Sequence, residues 1–206
     1  MIQKRKPAPT RERILLAARA LFQRRGYFAV GTAEILAMAR APKGSMYHHF
    51  PGGKEEIAVA AVQAVSRDIL EMLQRLEERH SGVADMLRDL GRGMARWLNE
   101  SKWREGTLLA STATGTIPDL PHLHVAIKEA FVQWRERLTE LLIEEGWQRS
   151  KARVMAETVI GATEGAMILA RIDQNGRVVQ KVIENMAQFI EKGSEEGGRT
   201  NGHSKR

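Results

Sequence analysis

The stretch TAEILAMARAPKGSMYHHFPGGK, residues 32–54, contains two short helical runs separated by a proline. The first run has apolar side chains at helical spacing around Ile35, with Thr32 as its candidate N-cap. Pro42 ends it, because proline lacks an N–H and disfavours α backbone at the residue before it. A second run, residues 43–49, follows directly. The stretch therefore predicts a helix-turn-helix.

The second run divides into an inward and an outward face. Met46, His49 and Phe50 recur at helical spacing and are expected to face a core. The other side chains point outward and are suited to DNA: Lys43, Gly44, Ser45, Tyr47 and His48. A lysine reaches phosphate or a guanine edge, glycine allows close backbone approach, and the remaining groups form hydrogen bonds to phosphate or base. This run is the predicted recognition helix.

Two segments around this stretch resemble a known family. LFQRRGYFAVGT at residues 21–32 and APKGSMYHHFPGGKEEI at residues 41–57 are similar to the DNA-binding domain of TetR-family transcriptional repressors. The PGGKEE junction at residues 51–56 resembles that of the multidrug- and flavonoid-responsive subfamily. The resemblance implies an all-α protein, with an N-terminal three-helix DNA-binding domain and a C-terminal domain that binds an effector and dimerises.

One position departs from the family pattern. Arg40 stands where the family usually has glycine, so a left-handed turn there costs on the order of 1 kcal/mol. Arg40 is also a candidate phosphate contact, and so is Lys54, at the positive end of the helix that follows. The predicted DNA-binding residues are Thr32, Arg40, Lys43, Gly44, Ser45, Tyr47, His48 and Lys54.

The basic charge of the chain is concentrated in the same region. The whole chain carries a formal net charge of +7, whereas residues 1–54 alone carry +9 and residues 55–206 carry −2. A basic N-terminus is often no more than a solvated arm. Here the charge coincides with the motif, which favours an electrostatic footprint for duplex DNA.

Composition and motifs argue against several other classes of protein. The chain has no cysteine and no apolar run long enough to cross a membrane, and we expect it in the cytoplasm, associated with the nucleoid. His122 and His124, with Asp119 and His80, are the candidate metal ligands, but two histidines two residues apart do not share a helix face. No serine lies in a Gly-x-Ser-x-Gly turn. We predict no enzymatic activity, cofactor or metal.

Helical periodicity without any period-two segment predicts an all-α chain of about nine helices. Turn residues and charge divide it into a disordered basic arm, a helix-turn-helix domain, a connecting helix, an effector-binding and dimerisation domain, and a disordered tail. Their predicted bounds are residues 1–9, 10–53, 54–80, 81–192 and 193–206.

The second domain contains adaptable and planar side chains that suit an apolar cavity. Any one Met or Trp at helical spacing is more often a core residue, so only the cluster favours a pocket. The predicted ligand-binding residues are Met72, Met94, Trp97, Leu98, Thr112, Phe131, Trp134 and Met167.

The last two predicted helices have more apolar positions than one layer of packing needs, and the first of them is rich in small residues. Together with the resemblance, this predicts a four-helix interface between two copies; the alternative is burial of both helices within the monomer. The predicted interface residues are Gly161, Ala162, Gly165, Leu169, Val179, Val182, Ile183, Met186 and Ile190.

These features predict a DNA-binding transcriptional regulator that responds to a ligand. A homodimer would place two recognition helices in successive major grooves of a palindromic operator, and a small aromatic or cationic effector would release it. The alternative is a sequence-tolerant architectural DNA-binding protein, which would not need so large a second half. Repression and activation are not separated by sequence, because they depend on where the operator lies.

Overall fold

The computed structural model describes the backbone of residues 8–201 and the side chains of residues 8–194. Within this range all regular structure is helical, which confirms the all-α class, and none of the described helices is long and apolar enough to cross a membrane. The helices are α1 (Thr10–Arg25), α2 (Thr32–Met38), α3 (Ser45–His49), α4 (Gly53–Glu77), α5 (Val83–Glu100), α6 (Leu108–Thr116), α7 (Pro121–Glu144), α8 (Arg149–Ile172) and α9 (Arg177–Asn201).

Helix ends differ from the predicted ones by a few residues. Thr32 is the first residue of α2 and Gly31 is its N-cap, so Thr32 does not cap the helix as expected. The recognition helix α3 begins at Ser45, two residues later than predicted. Helix α9 continues to Asn201, so the predicted tail is helical from residue 193 to that point. Residues 1–7 and 202–206, which include most of the predicted arm, lie outside the described residues.

The chain packs as two compact units that do not follow the predicted domain bounds. The first unit comprises Met1–Val65 and Leu108–Lys128, and the second comprises Ser66–Thr107 and Glu129–Arg206. Helix α6 therefore belongs to the same unit as the helix-turn-helix. The hydroxyl of Ser111 in α6 donates a hydrogen bond to the Phe22 carbonyl, at 3.2 Å.

The first unit closes around the apolar faces of α1, α2, α3 and the start of α4. Its core residues are fully or almost fully buried: Ile14, Ala18, Phe22, Ile35, Met46, Phe50 and Ile57. Arg13 links α1 to the end of α2, because its Nε donates to the Ala39 carbonyl at 3.0 Å. This core holds α3 with one face inward and the other in solvent.

In the second unit α9 packs closely against α5 and α8. A Cβ at Gly91 would lie 3.1 Å from the Ile183 side chain, and one at Gly176 would lie 2.9 Å from the Ala95 Cβ. These glycines let α9 and the turn before it approach α5. The core of the unit includes apolar residues of α5, α8 and α9: Leu87, Leu98, Val159, Met167, Val179, Ile183 and Ile190.

Candidate functional site

The outward face of α3 is the centre of the candidate DNA-binding site. Tyr47 is 66 % exposed, and His48, Lys43 and Gly44 are exposed beside it. Ser45 is half-buried, and its hydroxyl donates to the Pro42 carbonyl at 2.6 Å, which leaves the oxygen lone pairs as acceptors. His49 is half-buried on the inward side. The site thus presents hydrogen-bonding groups and one cation on an exposed face of a basic unit.

Arg40 lies in the turn between α2 and α3 and has a φ of 49°, in the left-handed region. The Arg40 N–H bonds to the Ala37 carbonyl and the Ala41 N–H bonds to the Leu36 carbonyl, the pair of bonds that ends a helix with a left-handed residue. The turn is therefore not reshaped to suit arginine. An exposed arginine occupies a backbone position that glycine would fill without strain.

Replacing Arg40 with glycine is expected to change stability and DNA affinity in opposite directions. Arg40→Gly relieves the left-handed strain and should raise the free energy of unfolding by up to about 1 kcal/mol. The same change removes a cation beside α3, so affinity for DNA should fall. Denaturant unfolding and fluorescence-anisotropy titration measure the two effects.

Lys102 supplies the matched control for Arg40. It is also an exposed cation, its φ is 53°, and it ends α5 with the same pair of backbone bonds. Lys102→Gly should stabilise the protein as much as Arg40→Gly, without any change in DNA affinity. If both variants bound DNA as tightly as the wild type, Arg40 would not be part of the DNA-binding site.

Lys54, near the start of α4, packs against an aromatic ring. Its Nζ lies 4.0 Å from the centroid of Tyr27, and partial burial lowers the pKa of Lys54. Burial, and secondarily the Glu55 carboxylate, raises the pKa of Tyr27. The sequence predicts free amides at the start of α4, but the Gly52 N–H donates a hydrogen bond to Glu56 Oε2 at 2.7 Å. The cation on Tyr27 is therefore the group most suited to phosphate here.

The predicted ligand-binding residues do not all share one unit. Thr112 belongs to the first unit, where it is buried, and the other seven belong to the second. Leu98 and Met167 lie inside the core of the second unit, against which Met72, Met94 and Trp97 are packed. Phe131 and Trp134 form an edge-to-face pair with centroids 5.2 Å apart.

Three side-chain nitrogen or oxygen atoms in the second unit are buried without a hydrogen-bond partner among the described residues: Trp134 Nε1, Arg135 Nε and Thr163 Oγ1. Sequence reasoning missed the last two, and it also missed Glu164. Burial raises the pKa of Glu164, which accepts a hydrogen bond from the Thr107 hydroxyl. The sequence feature that could have indicated Glu164 is a glutamate among small and apolar residues, in GATEGAMILA at residues 161–170. Such groups are candidate polar contacts for a ligand.

The predicted interface residues divide into exposed and buried sets. On α8, Gly161 and Leu169 are exposed, and Ala162 and Gly165 are half-buried. On α9, Val182 and Met186 are half-buried, whereas the other three are buried in the core of their own unit: Val179, Ile183 and Ile190. The buried three offer a second copy no surface, because they pack within the chain.

Three exposed apolar residues on α8 were not among the predicted interface residues. Val154, Ile168 and Ile172 lie on the same side of the helix as Gly161 and Gly165, and the five residues form an apolar stripe with spacings of seven, four, three and four. On α9 the exposed Phe189 continues the side defined by Val182 and Met186. Exposed apolar stripes of this length mark contact surfaces.

The histidines considered as metal ligands are dispersed. His80 Nε2 lies 3.2 Å from Asp89 Oδ2 in the second unit, whereas His122 and His124 lie at the start of α7 in the first unit. Among the residues whose side chains are described, no three histidine, aspartate or glutamate side chains form a group that could hold a metal ion.

Comparison with known proteins adds two family matches and several relatives. Residues 14–61 match the family of bacterial regulatory proteins, tetR family, and residues 83–185 match the transcriptional regulator LmrA/YxaF-like C-terminal domain. The chain is 31% identical over 170 residues to the HTH-type transcriptional regulator LmrA of Bacillus subtilis, covering 81% of this chain and 88% of that protein. It is 26% identical to YxaF of the same organism, an uncharacterised HTH-type transcriptional regulator, covering 89% and 96%.

Solved structures share the fold. A TetR transcriptional regulator from Legionella pneumophila superposes with a TM-score of 0.77 at 24% identity, covering 91% of this chain and 98% of the other. A TetR transcriptional regulator from Chloroflexus aurantiacus has a TM-score of 0.72 at 26% identity, covering 88% and 94%.

Proposed function

Because this chain belongs to the TetR family of bacterial transcriptional regulators, we propose that it is a repressor that a small effector releases from a palindromic operator. The observation that supports DNA binding most directly is the exposed polar face of α3, held by a buried core in the basic part of the chain. A repressor bound to its operator would be associated with the nucleoid. The PGGKEE junction, residues 51–56, supports the multidrug- and flavonoid-responsive subfamily by resemblance alone.

The DNA-contacting side chains have two roles in this proposal. Tyr47, Lys43, Arg40 and Lys54 contact phosphates, which fixes the orientation of α3 and carries no sequence information. Ser45 and His48 face the base edges, where hydrogen bonds distinguish one base pair from another. Gly44 allows the backbone at the start of α3 to approach the duplex, and Thr32 contributes its hydroxyl at the start of α2.

Substitutions in the two groups should have different effects. Lys54→Ala should weaken binding to every duplex and reduce the magnitude of the salt slope by about 1, because one fewer phosphate is neutralised. His48→Ala should alter the preference among operator variants. Anisotropy titrations at several salt concentrations, on an operator and on single-base variants, separate the effects. The control is Lys128→Ala, which removes an exposed cation of the first unit outside the helix-turn-helix. If Lys54→Ala left the salt slope unchanged, Lys54 would not contact a phosphate.

Dimerisation supplies the spacing that a palindrome requires. The exposed stripe of α8 and the side of α9 that carries Phe189 are the proposed contact surface, joined by the predicted residues that remain accessible: Gly161, Ala162, Gly165, Leu169, Val182 and Met186. Small residues on α8 allow two helices to approach closely. A two-fold dimer then presents two copies of α3 to half-sites about 34–36 Å apart.

The effector is proposed to bind inside the second unit, near Phe131 and Trp134. The partnerless Trp134 Nε1 and Thr163 Oγ1 and the half-buried Glu164 support a ligand that combines an aromatic body with hydrogen-bonding or cationic groups. Such a ligand would lower operator affinity only if it prefers the conformation that does not fit DNA, with a coupling free energy typically of about 1–3 kcal/mol.

The decisive experiment is an anisotropy titration of the full-length protein against DNA flanking its own gene, with excess random duplex present. Tight binding that one planar aromatic or cationic compound abolishes supports the whole proposal. Binding that no compound releases contradicts the effector part only. The repressor proposal would be overturned if the protein bound neither the flanking DNA nor an operator selected from a random library more tightly than it binds random duplex. That result would favour an architectural DNA-binding protein.

A further inference from the structure

A basic groove lies between α5 and α9 in the second unit. It has a volume of about 650 Å³, and the buried side chain of Ile183 lines it. Arg88 and Arg92 come from α5, and Arg177 and Lys181 come from the first turns of α9. Residues 55–206, which include the groove, have a net charge of −2 in total, so the groove gathers four cations within a slightly acidic part of the chain.

Arg88 is fully engaged by carboxylates. Its guanidinium donates to Glu184 at 2.9 Å, to Glu191 at 2.6 Å and to Asp85 at 3.1 Å. The bonds to Glu184 and Glu191 join α5 to α9, whereas Asp85 lies on α5 itself. With three carboxylates on one guanidinium, this side of the groove offers no free positive charge and is net negative.

The other three cations are poorly compensated. Arg92 is 56 % exposed, and among the residues with described side chains its one ion pair is with Asp89, at 3.4 Å. The side chains of Arg177 and Lys181 form no ion pair or hydrogen bond with any residue that the structure describes. The groove therefore holds donors that are available to a ligand.

Their position on the helix makes these charges unfavourable for the unliganded protein. Arg177 and Lys181 are four residues apart, so two like charges face each other on one side of α9. Arg177 also lies in the first turn of the helix, where the partial positive charge of the backbone repels cations. Arg92 adds a third positive charge from across the groove. An anion bound here would relieve all three repulsions at once.

We propose that this groove binds a small oxyanionic metabolite, a phosphate ester or a polycarboxylate. The guanidinium groups of Arg92 and Arg177 match the paired oxygens of phosphate and carboxylate, and Lys181 adds a compact charge. Gln180 and Asn185 line the same groove and supply neutral donors and acceptors that can select one anion from another. This ligand differs from both DNA and the interior effector, and the site does not depend on either of them.

The test is isothermal titration calorimetry of the full-length protein with pyrophosphate and, separately, with citrate, at constant ionic strength. Saturable binding of at least one anion is expected, and the stronger of the two identifies the phosphate or the carboxylate class. Arg177→Gln with Lys181→Gln should weaken that binding about tenfold or more, because each charge-assisted hydrogen bond contributes substantially. Without ligand, the same variant should unfold at an equal or higher temperature, since it lacks the like-charge repulsion.

The matched control is Arg149→Gln with Arg153→Gln. These arginines are also exposed, also four residues apart and also at a helix N-terminus, that of α8, but they lie outside the groove. The control should keep the wild-type affinity for the anion. An equal loss of affinity in both double variants, or no saturable binding of either anion by the wild type, would overturn the proposal.

DNA binding provides an independent readout. The Arg177→Gln and Lys181→Gln variant should keep its affinity for DNA and the same salt slope. A reduced salt slope would indicate that the groove binds nucleic acid, and it would overturn the proposal of a small-anion site. Failure of the repressor proposal would leave the calorimetric result unaffected, so the two proposals fail separately.

Discussion

A chain carrying Ile168→Glu and Ile172→Glu is expected to be monomeric at micromolar concentration and to lose measurable binding to its operator. The two isoleucines are 53 % and 71 % exposed in the single chain, so the substitutions remove no core packing. In a two-fold dimer each protomer would bury two carboxylates against the equivalent helix of its copy, and unpaired buried charges are strongly unfavourable. Because each half-site alone binds weakly, loss of the dimer removes nearly all specific affinity.

Sedimentation velocity and anisotropy titration of the same samples measure both effects. The control is Val125→Glu, which places the same charge at a residue that is 54 % exposed in the first unit. The control should remain dimeric and bind DNA normally. A glutamate double variant that is still dimeric would show that the stripe on α8 is not the interface, and the proposed arrangement of the operator-bound dimer would then be abandoned.

Gly193→Ala is expected to destabilise the protein by about 1–3 kcal/mol, although alanine is the better helix former. Helix α9 passes so close to the Trp147 indole that a Cβ at Gly193 would overlap its Cζ2. The ring cannot move freely, because Trp147 Nε1 donates to Ser194 Oγ at 3.0 Å, and that hydroxyl in turn lies 3.3 Å from Glu145. Denaturant unfolding measures the loss of stability.

Gly93→Ala gives the opposite expectation and serves as the control. Gly93 is also within a helix, α5, but no atom lies within 4 Å of where its Cβ would be. Alanine should therefore raise the free energy of unfolding by about 0.5–1 kcal/mol, the usual cost of glycine in a helix. If Gly193→Ala stabilised the protein to the same extent, the close packing of α9 on Trp147 would be disproved.

The amino-acid sequence determined the DNA-binding part of this protein almost completely. Pro42 and the apolar spacing around it predict two short helices and assign Met46 and Phe50 to the inner face, where the structure places them. These are local consequences of backbone chemistry and helical period, and neighbouring residues in the chain are enough to decide them. The left-handed backbone at Arg40 was expected from the family resemblance, because the family usually has glycine there, and the structure gives Arg40 a φ of 49°.

Only the tertiary structure decided which surfaces of the second half are free. Helical spacing indicates that α8 and α9 have apolar faces, but not which neighbour covers each one. Ile183 is buried beside Gly91, where α9 comes close to α5, and Ile190 is buried in the same core, whereas Ile168 and Ile172 are left exposed. The grouping of α6 with the DNA-binding helices likewise depends on contacts between residues far apart in the chain. Periodicity within one helix carries no information about such contacts, because packing is a property of pairs of helices.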